Sequence, residues 1–339
     1  MLRAAATRDL HMTENPLTSR IETLHPDDAL HTPPDDIWAF ESYWFSFFIP
    51  ERKLMVYVYP WFRPTLGVAG GGVLAWDDSA NTPWNIVHCD YEFQTAAKAP
   101  ETWFQGATLT LPQRITIKVL EPLKQYAISY RHRDLSFDVT FTAIHEANIA
   151  TNSIGGSQLF AGHIDQCGKV VGEITIAGET LPVDCLSMRD RSWGTRRADN
   201  LDMNIGYFHA TASEKDAFLV VANHAAAGPN SNDENAPIVT GYLMQDGVIH
   251  PLKNGTATLI RSADGAPTGC ELQATDAAGR TLTASGEAMN WFAFQPFSGM
   301  FNWSSLANWR FNGQTCVGEF QNTWHPDRWR AFYRRRMST

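Results

Sequence analysis

The stretch Leu135-Ser136-Phe137-Asp138-Val139-Thr140-Phe141-Thr142 decides the fold class. Its apolar residues recur at every second position, so an extended chain shows one apolar and one polar face. A helix would scatter the same four side chains around its circumference. Working outward, Ile115, Ile117 and Val119 alternate with Thr116 and Lys118, and Ile174 and Ile176 alternate with Glu173 and Thr175. Turn pairs punctuate the second half at intervals of roughly ten residues, as a β-meander requires. They are Asp246-Gly247, Asn254-Gly255, Asp264-Gly265 and Ala278-Gly279. Asn-Gly and Asp-Gly suit two-residue hairpins, whose central positions both need positive φ. No long amphipathic helix is found; Ser304 to Arg310 is expected to add one short helical turn. The pattern predicts an all-β protein built as paired antiparallel barrels or sandwiches.

The chain has 339 residues, of which 44% are hydrophobic and 19% charged, enough apolar material for two cores. Residues 1–34 are polar, contain proline and lack periodicity, which reads as an arm or tail. The small polar run Asn148 to Gly156 interrupts the strand pattern, so the expected units are a first barrel over 35–160 and a second over 161–339. Lys and Arg total 27 against 36 Asp and Glu, a net charge of −9. That balance argues against nucleic acid as a partner, because affinity for phosphates comes from clustered cations. Arg328, Arg330, Arg334, Arg335 and Arg336 crowd the C-terminus and read as a solvated tail. No apolar run approaches the ~18 residues of a membrane span. The N-terminus lacks the apolar centre of a secretory signal. Five cysteines without a C-x-x-C pair fit free thiols in a reducing compartment. A cytoplasmic protein is expected.

Several motifs fail on context. Gly70-Gly71-Gly72-Val73-Leu74-Ala75 matches a dinucleotide fingerprint in letters, but Trp76-Asp77-Asp78-Ser79 follows where that motif needs a helix. Ser157 lacks the second glycine of a nucleophile elbow. His145-Glu146 lacks the histidine of a zincin. No metal site and no cofactor are expected.

The nine residues from Met188 to Arg196 (MRDRSWGTR) concentrate three arginines, an aspartate and a tryptophan. On a strand Arg189, Arg191 and Trp193 share one side, and Asp190, Ser192 and Gly194 the other. A carboxylate among guanidinium groups is held by charge-assisted hydrogen bonds. Two readings stay open: a structural ion pair under a tryptophan, or a ligand-facing site.

The longer stretch 162–196 resembles the middle of a tandem-lipocalin family that includes AttH-like proteins and carotenoid 1,2-hydratases, with fungal Diels–Alderase-type cyclases as remote relatives. Within it the sequence is most similar to an uncharacterised bacterial branch with a His-x-Glu-Gln stretch, a glycine-rich hairpin and Arg-Asp-x-Ser-Trp-Gly-x-Arg. The matching residues are His163, Asp165, Gln166, Gly172, Gly178 and Arg189 through Arg196, with aspartate at 165 in place of the usual glutamate. Glu41-Ser42-Tyr43-Trp44-Phe45 resembles the first strand of that branch. Gly318-Glu319-Phe320 and Trp324 fit its closing strand. The resemblance implies two tandem lipocalin-like (calycin) β-barrels packed together, with an apolar ligand cavity in or between them.

Cofactor-free catalysis in such a cavity needs an acid and a base of tuned pKa. The candidates are Asp190, held by Arg191 or Arg196, as base or electrostatic stabiliser, and Glu41 or His163 as acid. Glu41 sits in an apolar strand where desolvation would keep it protonated, with Tyr43 on the same face. His209, with His88 and Asp90 behind it, is a further acid or base candidate; His209, His88, Trp193, Trp291 and Trp303 are candidate substrate-binding residues, and His209 and His224 also read as satisfied barrel histidines. Three functions are carried forward. The first is a cofactor-independent lyase or isomerase (hydratase, dehydratase, cyclase or C–C cleaving) acting on a hydrophobic terpenoid, polyketide or aromatic molecule. The second is a carrier of a hydrophobic ligand. In the third the Arg-Asp-Ser-Trp-Gly segment only locks two barrels together. An apolar face on either barrel would support a homodimer.

Overall fold

The alternation seen in the sequence becomes sheet. Leu135, Phe137, Val139 and Phe141 are buried on one strand, while Asp138 between them is exposed. A computed structural model describes residues 24–96, 103–150, 161–197, 202–228 and 233–338.

Twelve strands form the first sheet. They are β1 (Ala39–Ile49), β2 (Leu54–Arg63), β3 (Val68–Trp76), β4 (His88–Ala96), β5 (Phe104–Gln105), β6 (Thr108–Thr110), β7 (Ile115–Glu121), β8 (Gln125–Arg131), β9 (Leu135–Ala143), β10 (Asn148–Ala150), β11 (Gly162–Ile176) and β12 (Glu179–Thr195). Their order is β4-β3-β2-β1-β12-β11-β9-β8-β7-β6-β5, with β10 also on β11. The sheet curls without closing among the described residues. Its two arms meet through side chains: His88 on β4 lies 2.9 Å from the Tyr130 hydroxyl on β8, and Gln113 donates to the Gly70 carbonyl on β3 at 3.1 Å.

The second sheet holds β13 (Asn204–Ser213), β14 (Asp216–Asn223), β15 (Asn235–Gln245), β16 (Val248–Arg261), β17 (Pro267–Asp276), β18 (Thr281–Ala288), β19 (Phe292–Phe297), β20 (Met300–Phe311) and β21 (Gln314–Trp324). Pairing of β18 with β20 closes all but β19 into a barrel. Asp246-Gly247 makes the expected two-residue turn, with φ of 54° and 79° between paired Gln245 and Val248.

The structure corrects several expectations. The strands change sheet between Thr195 and Asn204, not at 160/161. The long β11–β12 hairpin pairs with β9 and β1 and so forms the middle of the first sheet. Residues 151–160 of the expected boundary lie outside the described residues. Asn254-Gly255 is no turn but part of β16, beside a register slip between Leu252 and Asn254; the pair marks a bulge. Ser304 to Arg310 is strand, laddered along its length to β21. The arginine-rich C-terminus is a helix, α1 (Pro326–Met337), started by the His325 side chain, which accepts from the Asp327 N–H, and by Pro326. Within it Arg328 is buried and donates to the carbonyls of Asp202 and Gly228. Of the N-terminal arm, residues 1–23 lie outside the described residues, but Leu24 and Asp28 are buried. Asp28 accepts from the Tyr126 hydroxyl at 2.6 Å and the Leu123 N–H at 2.8 Å.

One buried cluster runs through both sheets, and a second, with Phe208, Phe218, Leu272 and Trp309, fills the closed barrel. Trp44, Tyr57 and Trp76 of the first sheet share a buried cluster with Leu219, Met244, Phe292 and Leu306 of the second. Among the described residues no helix is long and apolar enough to cross a membrane.

Candidate functional site

Strand β12 serves two environments because its side chains alternate. On the face turned into the first sheet, Arg189 and Arg191 are fully buried. Arg189 donates to Gln166 at 2.8 Å and lies 4.5 Å from the Tyr126 ring. Arg191 donates to the Glu41 carboxylate at 2.6 Å, to the Ala29 carbonyl at 2.7 Å and to the Ser42 carbonyl at 3.2 Å, and it covers the Tyr43 ring at 4.0 Å. Glu41 also accepts the His31 N–H at 2.7 Å, and the Tyr43 hydroxyl donates to the Asp28 carbonyl at 2.8 Å. Trp193 ends the row: its ring stacks on His31 with centroids 4.1 Å apart and lies over Gly162, where a Cβ would stand 2.1 Å from it.

Glu41 therefore has a guanidinium partner where the sequence suggested a lone, desolvated acid. Arg191 compensates Glu41, so it does not hold Asp190, which points to the other face.

On that other face the registers place Asp165 opposite Asp190, and Ser192 between His163 and Ser42. This face looks onto β13, β21 and the turn between β19 and β20. A cleft of about 130 Å³ lies between, lined by Tyr59, His163, Asp190, Ser192, Arg196 and Tyr207 among others, with Ile205, Phe297 and Met300 as apolar wall. Asp165 Oδ1 accepts from the Tyr207 hydroxyl at 2.5 Å and lies 2.9 Å from His163 Nε2. His163 Nδ1 lies 2.6 Å from Ser192 Oγ.

The two aspartates face each other in unlike surroundings. Burial, followed by the repulsion of Asp165, pushes the Asp190 carboxyl up to about 6; His163 and Arg196 pull the other way. Burial opposes a charged His163, but the adjacent Asp165 outweighs it and leaves the imidazole raised above its ordinary value. A carboxyl raised to about 6 thus stands opposite one that accepts from Tyr207 and contacts His163. Unlike surroundings of two neighbouring carboxyls suit them to different roles in proton transfer.

The remaining candidates do not join the cleft. His209 is buried 3.3 Å from Glu319; burial lowers His209 to about 3 and raises Glu319 above the ordinary carboxylate range. His88 packs against Tyr130 and His132 at the sheet edge and is lowered to about 4 by burial and then by His132. Its neighbour Asp90 accepts from Tyr130 and Arg114. Burial lowers His224 to about 3. Trp291 lines a separate hollow with Asp77 and Asn290. Trp303 packs with Phe301 and Trp329 beneath α1. Sequence reasoning missed Tyr207, Tyr59, Ser192 and Ser42 as cleft residues, and treated Asp165 only as a departure from a pattern. Alternation put Ser192 beside Asp190; nothing in the sequence says that this face meets another sheet. Among the described residues no group of three or more His, Cys, Asp or Glu side chains is placed to hold a metal ion.

No functionally curated protein matches the sequence. In structure the chain is similar to an AttH-like protein of Nitrosomonas europaea, with a TM-score of 0.54 and 14% identity, covering 89% of this chain and 98% of that one. It is likewise similar to CghA in two crystal structures. One has a TM-score of 0.54 at 10% identity, covering 89% of this chain and 96% of that one. The other, CghA with Sch210972, has a TM-score of 0.52 at 10% identity, covering 89% and 95%. These likenesses bear out the fold that the 162–196 resemblance implied: an AttH-like pair of lipocalin-type β units, here one open and one closed. The family described as Domain of unknown function (DUF7064) matches residues 25–326, most of the chain, and the chain belongs to that family.

Proposed function

We propose that the cleft between the two sheets carries out a cofactor-independent acid–base reaction of lyase or isomerase type on a small, largely apolar organic molecule. One observation carries this reading: Asp165 and Asp190 face each other across adjacent strands, with Asp190 raised by burial to about 6 and Asp165 in contact with Tyr207 and His163. Asp190 supplies the proton that an alkene or a departing hydroxyl requires. Asp165, through His163, accepts the proton that leaves carbon or water. Tyr207, Tyr59 and Arg196 orient an oxygen of the substrate, and Ile205, Phe297 and Met300 exclude water around it. That CghA is known with Sch210972 supports a small molecule as the partner. The cleft is smaller than the roughly 300–1,000 Å³ of ligand-holding pockets. It suits a small substrate or the reacting end of a terpenoid, polyketide or aromatic one. A carrier needs volume and no titrating pair, so the cleft favours the enzyme.

The test begins with native mass spectrometry of gently purified protein and identification of any compound extracted from it. That compound and its hydrated and dehydrated relatives are then incubated with the protein in D2O. Deuterium entering a carbon position, and lost with Asp190→Asn, is the expected result. Stoichiometric retention of a compound with no exchange and no product contradicts the enzymatic reading.

A further inference from the structure

One chain of side chains in the cleft goes beyond an acid and a base. Asp165 accepts from the Tyr207 hydroxyl, and its other contact through the same oxygen is His163 Nε2. Asp165 Oδ1 already accepts from Tyr207 and acts as acceptor to His163 as well, which puts the proton of the neutral imidazole on Nε2 and makes Nδ1 the acceptor. The group aimed at Nδ1 is the Ser192 hydroxyl, at 2.6 Å. A hydroxyl on an imidazole that a carboxylate orients, at 2.6 and 2.9 Å, has the spacing of an activated nucleophile. Ser192 and His163 both line the cleft, so the hydroxyl meets whatever enters. Next to Ser192 in register stands Ser42, and Tyr59 and Arg196 line the same cleft. These are donors for an oxygen that gains negative charge.

We propose that Ser192, activated by His163 and Asp165, is a nucleophile toward esters of short-chain carboxylic acids, giving the protein an esterase or acyl-transfer activity in the same cleft. Ser192 Oγ bonds to the ester carbonyl carbon as its proton passes to His163 Nδ1. The carbonyl oxygen takes up the electron pair, with Tyr59, Ser42 and Arg196 as the donors present. The pair returns, the bond from the carbonyl carbon to the alcohol oxygen breaks, and the alcohol leaves with the proton from His163. Water then attacks the acyl-serine, again giving its proton to His163, and the carboxylic acid departs as Ser192 regains its hydrogen. A cleft of about 130 Å³ limits the acyl group to a short one. This activity uses the cleft of the acid–base reading, but its test involves no turnover of a lyase substrate, so either can fail alone.

The full chain is incubated with diisopropyl fluorophosphate and, separately, with p-nitrophenyl acetate, and followed by intact-mass spectrometry and release of p-nitrophenol. The expected result is one phosphoryl adduct per chain, mapped by peptide sequencing to Ser192 in the parent protein. His163→Asn should slow labelling by about 100-fold or more, and Ser192→Ala should abolish it with an unchanged circular dichroism spectrum. Peptide mapping of the parent chain stands even where a variant fails to fold. No adduct under conditions that saturate a serine-hydrolase control, or an adduct mapped to another residue, overturns the proposal.

Discussion

Asp190 shows how one side chain's surroundings set both chemistry and stability. Its carboxyl sits at about 6 in the folded chain against an ordinary 3.8, so the folded state binds this proton more tightly than the unfolded one. The sign follows from linkage: stability falls as pH rises from about 4 to about 6 and stays reduced above that. Asp190→Asn should therefore stabilise the protein at pH 7.5 by about 2 kcal/mol at most, after a discount for partial exposure, seen as a higher melting temperature. At pH 4 it should leave the melting temperature nearly unchanged. The same variant should lower turnover by about 10²–10⁴-fold, the range for loss of a general acid. In the parent protein, turnover should decline as pH rises through about 6, measured as kcat against pH. Glu41 lies at the opposite extreme. Glu41→Ala leaves the Arg191 charge buried without its carboxylate, and should cost about 3–5 kcal/mol in denaturant unfolding. Adding Arg191→Met should recover much of that loss. Equal losses in the single and double variants would contradict the pairing.

At the scale of the strand, the alternation within β12 is the device that separates structure from chemistry. Arg189, Arg191 and Trp193 lock the first sheet, and Asp190 and Ser192 face the cleft. The alternation was legible in the sequence, as were the strand character of 135–142 and the turn at Asp246-Gly247. The partner of each side chain was not. Whether Arg191 meets Asp190 or Glu41 depends on which strand lies beside β12, and β1 precedes it by well over a hundred residues. Asn254-Gly255 carries the same local signal as a hairpin turn, yet long-range pairing with β17 keeps it inside a strand. Gly162 was visible only as part of a resemblance. Its need for no side chain comes from the Trp193 ring above it, 2.1 Å from where a Cβ would be. Gly162→Ala should displace that ring from its stack on His31 and destabilise the protein by about 1–3 kcal/mol in denaturant unfolding. An unchanged unfolding midpoint would show that the ring yields freely.

For the whole molecule, one buried cluster joins the two β units beside the closed barrel's own core, and the cleft exists because they are packed together. Trp44 and Tyr57 from one and Leu219 and Phe292 from the other belong to a single buried cluster. Tyr207 from the second barrel completes the donor set on Asp165 of the first sheet. Calorimetry should accordingly show one unfolding transition, with calorimetric and van't Hoff enthalpies in agreement. Two resolved transitions would mean that the units are independent and that the cleft is not held by the fold. This juxtaposition was the least legible feature of the sequence, because each strand pattern describes its own two faces and not what lies across from them.

The central claim is that the Asp190 carboxyl, opposite Asp165 in the cleft, is raised to about 6. A carbon-13 NMR titration of aspartate side-chain carboxyls, in the parent protein and in Asp190→Asn, measures this directly. The account predicts one aspartate resonance with its midpoint near pH 6, absent from the variant. If every aspartate of the parent titrates at or below about 4, the ordinary carboxylate range, Asp190 is no proton donor at neutral pH and the acid–base reading of the cleft fails.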